Sequence, residues 1–333
     1  MRCLVGSTAA ALAAALLGYA APLAAQSAKA AGAASDYPSR PVRWVVPFPP
    51  GASNDIIARL MGQKLTEAWG QQFVVDNRPG AGGSLGAETV AKAPPDGYTL
   101  LLANPGPNIN NPLMRKSTPY KVGDFTPIIF IGYAPLIIVA NPKFAPNNAK
   151  ELVDYAKANP GKVNWGSSGN GSSLHIGLAL FQAATGANVV HVPYKGAAQA
   201  LTDVVGGQIN LMYTTTVSAE AHIKSGRVKV IANAGSKRQT VLPNVPTLAE
   251  QGINNAEAIV WFGAAAPAKT PRAIVGKLNA EINKALEMSD VRKRLDQLGL
   301  EVGGGTPEDF RNFIDKEAGR LAGLIKAGAV KEE

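Results

Sequence analysis

Trp165-Gly166-Ser167-Ser168-Gly169-Asn170-Gly171-Ser172-Ser173-Leu174-His175 is the stretch on which the reading of this chain turns. It follows a strand-like run, Lys162-Val163-Asn164-Trp165, and leads into apolar residues at helical spacing, Leu174, Leu178 and Phe181. The pattern predicts a strand, a tight polar turn and a helix start. Its glycines let the backbone approach a ligand closely. Its serines and Asn170 supply small hydrogen-bonding groups. The first N–H groups of a helix have no intrahelical partner and favour an anion. An anion site and a plain capped turn both satisfy these residues.

The same arrangement recurs outward from this stretch. A short apolar run around Val45 and Val46 ends in Pro50-Gly51-Ala52-Ser53-Asn54-Asp55, and a helix follows with Ile56, Ile57, Leu60, Met61 and Leu65 on one face. Asp55 is expected to cap or brace that loop, because its carboxylate would repel an anionic ligand. Asn104 stands at the end of another apolar run and either reaches a cleft or fixes the turn. Tyr213-Thr214-Thr215-Thr216 again joins a strand to a helix. Alternating strands and helices predict an α/β chain with largely parallel sheets. In such sheets ligands sit beyond the carboxyl ends of strands, where all these loops lie. The glycines from Gly80 to Gly86 do not keep dinucleotide-loop spacing. Apolar runs at 127–131 and 136–140 read as two strands crossing into a second lobe, and the run at 259–266 as the return. The expected division is lobe 1 at 37–140 and 265–333, and lobe 2 at 141–264.

Charge and composition narrow the function classes. The chain has 33 Lys+Arg against 24 Asp+Glu, a net of +9. The cations are dispersed. Their densest cluster, Arg292-Lys293-Arg294, includes no aromatic, so no nucleic-acid partner is expected. Residues 1–30 read as a secretory signal peptide: Arg2, then an Ala/Leu-rich run, then small residues, with cleavage between about 25 and 34. Export to the periplasm is the expectation. Cys3 is the only cysteine, so the mature chain offers no disulfide and no cysteine metal site. No H-E-x-x-H or Asp/His cluster suggests a metal, and no cofactor is expected.

Six segments carry a resemblance: Pro47-Phe48-Pro49-Pro50-Gly51, Asp76-Asn77-Arg78-Pro79-Gly80-Ala81-Gly82-Gly83, Pro95-Asp96-Gly97-Tyr98-Thr99-Leu100-Leu101, Gly169-Asn170-Gly171-Ser172, His191-Val192-Pro193-Tyr194-Lys195-Gly196 and Pro243-Asn244-Val245-Pro246-Thr247. In this order, from about Tyr37 to Val330, the chain resembles Bug-type extracytoplasmic receptors, the substrate-binding proteins of tripartite tricarboxylate transporters. The resemblance implies a two-lobed periplasmic-binding-protein (Venus-flytrap) fold with two crossings. It implies a monomeric receptor for a small carboxylate (a dicarboxylate, tricarboxylate or aromatic acid) with membrane permease subunits as partners. Signalling to a membrane sensor kinase is the alternative. By matching position, the carboxylate would be held by Pro50 to Asp55, by Ser167, Ser168, Gly169, Asn170, Gly171 and Ser172, and by His175. Two departures stand out. Ala179 replaces a usual Glu, and Tyr213-Thr214 replaces a frequent Phe-Asp whose carboxylate can meet an amine. Thr214 therefore implies a ligand without a cationic group.

The rival class is a secreted serine hydrolase using His175 or His191. It needs a base, an orienting acid and an oxyanion hole in register. No G-x-S-x-G elbow occurs, and the chain is read as a receptor, not an enzyme.

Overall fold

The structure, a computed structural model, describes residues 36–330. The expected signal peptide, residues 1–30, lies outside them. The described chain begins with β1 (Val42–Val46), α1 (Ser53–Trp69), β2 (Phe73–Asn77), α2 (Ser84–Ala91), β3 (Thr99–Ala103) and β4 (Phe125–Ala140). Next come α3 (Ala149–Ala158), β5 (Asn164–Ser167), α4 (Ser173–Thr185), β6 (Val190–Pro193), α5 (Ala197–Gly206), β7 (Leu211–Thr215), α6 (Thr216–Lys224) and β8 (Lys229–Asn233). The chain then returns through β9 (Ile259–Pro267), α7 (Arg272–Glu287), α8 (Ser289–Gln297), β10 (Glu301–Gly304) and α9 (Pro307–Lys326).

Two α/β lobes share one strand path, β2-β1-β3-β9-β4-β7-β5-β6, with β8 and β10 also pairing β4. Strands that alternate with helices pair in parallel: β1 with β2 and β3, and β5 with β6 and β7. The crossing strands do not. β9 is antiparallel to β3 and β4, and β4 is antiparallel to β7, β8 and β10. A chain that leaves one lobe and comes back must run in both directions, so the largely parallel expectation fails at the junction.

The two apolar runs at 127–131 and 136–140 form one strand, and a register shift between Phe130 and Gly132 bends the pairing without ending it. Partners change within this strand. Up to Pro135 it pairs β9, and from Leu136 it pairs β7. On the return, Ala258 N–H still bonds Ala234 O, whereas Ile259 already pairs Pro135. The sheet partners thus change at 135/136 and at 258/259, a few residues before the expected divisions at 140 and 264. Unbroken hydrophobicity hides the first change, because β4 is buried through both lobes.

The apolar faces of both lobes meet in one buried cluster that runs through β4. Ile57, Met61 and Leu65 of α1, at helical spacing, are fully buried with Trp44 of β1. Burying one such side chain stabilises by about 1.5–3 kcal/mol. In the other lobe Trp165 packs on Phe181 and Tyr213 with ring centroids 5.1 Å apart. Gly70, left-handed at φ 67°, ends α1. Thr306 and Asp309 form a capping box ahead of α9, with Pro307 in its first turn. Gly70 fixes where α1 stops and Thr306 where α9 starts, and the starts of other helices build the candidate site.

Candidate functional site

Helices α1, α4, α5 and α6 start at the cleft between the lobes. From lobe 1 comes α1, whose N-cap residue Ala52 has no capping side chain. From lobe 2 come α4, capped by Ser172, α5, whose N-cap Gly196 also lacks a side-chain cap, and α6, capped by Thr215. Ala52, Ser53 and Asn54, Ser173 and Leu174, Ala197, and Thr214, Thr215 and Ser218 line the cleft. Each helix start carries roughly half a positive charge. Among the described residues, no charged side chain lines the cleft. Such a wall can hold an anion through backbone dipoles, without a side-chain cation.

Two hydroxyls in this wall lack a partner. Ser173 Oγ and Thr214 Oγ1 are buried and make no hydrogen bond, and their residues are 7% and 1% exposed. An unpaired buried hydroxyl costs about 1–3 kcal/mol. A ligand that bonds them recovers that cost.

Asp55 is committed elsewhere. Its carboxylate takes the Gly51 N–H at 3.1 Å, Arg59 at 2.9–3.0 Å and Asn77 Nδ2 at 3.1 Å. Burial raises its pKa, but these donors and the Arg59 charge outweigh burial and hold it below the usual carboxylate range. Asp55 braces the loop and is absent from the cleft wall. A depressed folded value contributes stability above the ordinary aspartate range and loses it as pH falls through the lowered value. Asp55→Asn is therefore expected to be less stable than the parent at neutral pH and to lose that difference on acidification. Urea unfolding at both conditions measures this.

Asn104 does both things open to it. It lines the cleft, and its Nδ2 donates to Asn54 Oδ1 at 3.0 Å while its Oδ1 takes the Gly106 N–H at 3.1 Å.

In the glycine-rich loop, Ser168 faces the cleft while its neighbours hold the loop together. Ser167 Oγ takes the Gly169 N–H at 3.1 Å and sits 2.6 Å from His191 Nε2. His175 Nδ1 takes the Gly171 N–H at 3.1 Å. The two imidazoles stack, centroids 4.3 Å apart. Ser172 Oγ accepts the His175 N–H at 3.3 Å and so caps α4. Ser172→Ala should cost about 1 kcal/mol of stability, read by thermal denaturation, because it removes a cap.

Of the residues expected at the site, Ala52, Ser53, Asn54, Asn104, Ser168 and Thr214 line the cleft. Pro50, Gly51, Asp55, Ser167, Gly169, Asn170, Gly171, Ser172, His175 and Tyr213 stand outside its wall. Tyr213 is fully buried against Trp165, and burial pushes its hydroxyl up. Phe48, Ser173, Leu174, Ala197, Thr215, Ser218 and Val260 were not expected in the wall. Five of these, Ser173, Leu174, Ala197, Thr215 and Ser218, flank the starts of lobe-2 helices, which is the signal that could have found them.

The lobes touch around the cleft. Ser53 N–H donates to Ser218 Oγ at 3.0 Å, and Asn110 Nδ2 donates to Gly171 O at 2.9 Å. A Cβ on Gly82 would lie 2.2 Å from Asn170 O. The cavity left between these contacts is small, about 20 Å³, so a ligand larger than a few atoms needs the lobes to part.

A family model described as the tripartite tricarboxylate transporter family receptor matches residues 57–330. The chain belongs to this receptor family. The receptor is 38% identical to BugT of Bordetella pertussis over 300 residues, 90% of this chain and 92% of that one. It is similar to the R. palustris protein Rpa4515 solved with adipate, at 34% identity and TM-score 0.85, covering 87% of this chain and 98% of that one. It is also similar to MatC from Rhodopseudomonas palustris with bound malate, at 32% identity and TM-score 0.83, covering 87% and 100%. Family members are binding receptors, so the Bug-type resemblance holds and the hydrolase reading falls. The receptor's Ser167–His191 pair has the spacing of a dyad, but Ser167 is fully buried and its oxygen is engaged by Gly169. It orders the loop.

Proposed function

We propose that this receptor captures a small carboxylate without a cationic group, foremost a dicarboxylate, and hands it in the periplasm to a tripartite tricarboxylate-type permease. One observation carries the ligand class: the starts of α1, α4, α5 and α6 converge on a cleft that, among the described residues, has no charged side chain, and the buried hydroxyls of Ser173 and Thr214 there lack partners. An anion gains from the dipoles and the hydroxyls, whereas an ammonium group finds no carboxylate. Relatives solved with adipate and malate support the class. Ligand bridges the lobes, and closure follows from its higher affinity for the closed state. The closed shape is what the permease reads.

A thermal-shift panel of dicarboxylates, tricarboxylates, aromatic acids and amino acids tests this. A ligand at a hundred times its Kd stabilises by about 2.7 kcal/mol. The carboxylates should raise Tm and cationic amino acids should not. A Tm raised by arginine or lysine would remove the proposal.

A further inference from the structure

The geometry points to a modification site in the glycine-rich loop: spontaneous deamidation of Asn170, with His175 as the base that drives it. Asn170-Gly171 is the one Asn-Gly pair in the sequence. Glycine leaves its own amide nitrogen unhindered, because it has no Cβ. The chain cannot relieve this by changing the second residue. Gly171 has φ +71°, and a Cβ there would lie 2.1 Å from Asn111 Oδ1. Lobe contact thus demands glycine at the position that makes the preceding asparagine labile.

Two further observations select this residue. Asn170 lies partly exposed in the turn before α4. The Gly171 N–H, whose proton must leave, is held on His175 Nδ1 at 3.1 Å. That is within the reach of a general base. His175 takes the proton as the Gly171 nitrogen attacks Asn170 Cγ. An N–Cγ bond forms, the Cγ–NH2 bond breaks, and the nitrogen leaves as ammonia with a proton returned from His175. Water then opens the five-membered imide. Cleavage at Cγ gives aspartate, and cleavage at the backbone carbonyl gives isoaspartate. The net change is water in and ammonia out, with no redox step.

The product damages the lobe contact. Asn170 O already packs where Gly82 has no room for a Cβ, and isoaspartate adds a carbon to the backbone at that point. Either product also adds a negative charge to the loop that precedes an anion-favouring helix start. The damage to ligand capture rests on the carboxylate reading above, but the chemistry does not.

The test is ligand-free. The purified protein is aged in warm, mildly alkaline buffer beside a synthetic peptide of residues 165–175. Peptide mass spectrometry and isoaspartyl methyltransferase labelling follow residue 170. The folded protein should convert at least as fast as the peptide. His175→Gln should slow the folded protein roughly tenfold or more, the scale of a lost general base, without altering the peptide-matched background. Asn170→Gln should abolish the labelling. An unmodified Asn170 in folded protein whose peptide has converted would overturn the site. An unchanged rate in H175Q would overturn the role of His175.

Discussion

Gly82→Ala is expected to weaken carboxylate binding roughly 30- to 150-fold while both lobes stay folded. The new Cβ would lie 2.2 Å from Asn170 O, which is backbone and belongs to the opposite lobe. Overpacking of this kind costs about 2–3 kcal/mol, and here the cost falls on the closed form. Gly82 also has φ +63°, so alanine adds about 1–2 kcal/mol of strain that both forms share. That second cost lowers Tm without changing affinity. Small-angle scattering should show G82A failing to compact when malate or adipate is added. Gly276→Ala is the control, since open space surrounds its Cβ position. An unchanged affinity in G82A would mean that capture does not need the contact between residues 82 and 170.

Thr214→Asp should have the larger effect on specificity. Thr214 is 1% exposed in the cleft wall and its hydroxyl has no partner. A carboxylate there faces the ligand's own charge across a desolvated gap. Two like charges about 4 Å apart at an effective dielectric near 20 repel by about 4 kcal/mol, roughly a thousandfold in affinity. Desolvation raises the pKa of the new aspartate, so the loss should be greater at mildly alkaline than at mildly acidic pH. The same substitution supplies the counter-charge that an ammonium group lacks in the parent. T214D should therefore gain affinity for amino acids as it loses malate. A variant that binds malate as tightly as the parent would place Thr214 outside the ligand's reach.

Less than half of the candidate site was legible, and as a rule rather than as atoms. Strand ends followed by small polar residues marked Ala52 to Asn54, Asn104, Ser168 and Thr214, because helix starts advertise themselves by N-cap residues. The rule could not separate Ser172 from Ser173. Ser172 is the extended N-cap residue and Ser173 the first helical one, so one serine caps α4 and the next faces the cleft. Nor could it pair His191 with Ser167. That contact follows from the parallel register of β5 on β6, which sets Ser167 opposite Pro193 and Trp165 opposite His191. Ser218 was hidden for a related reason. It sits in the first turn of α6, and its role is to take an N–H from the other lobe. Along β4 the sequence carries no mark of where the sheet partners change, since the strand stays buried as it passes between lobes.

Isothermal titration of the parent protein with malate, adipate and arginine decides whether backbone dipoles and hydroxyls, without a charged side chain, hold a small carboxylate between the lobes. At least one of the two dicarboxylates should bind, and arginine should give no binding heat. Binding of arginine with no response to either dicarboxylate would contradict the account.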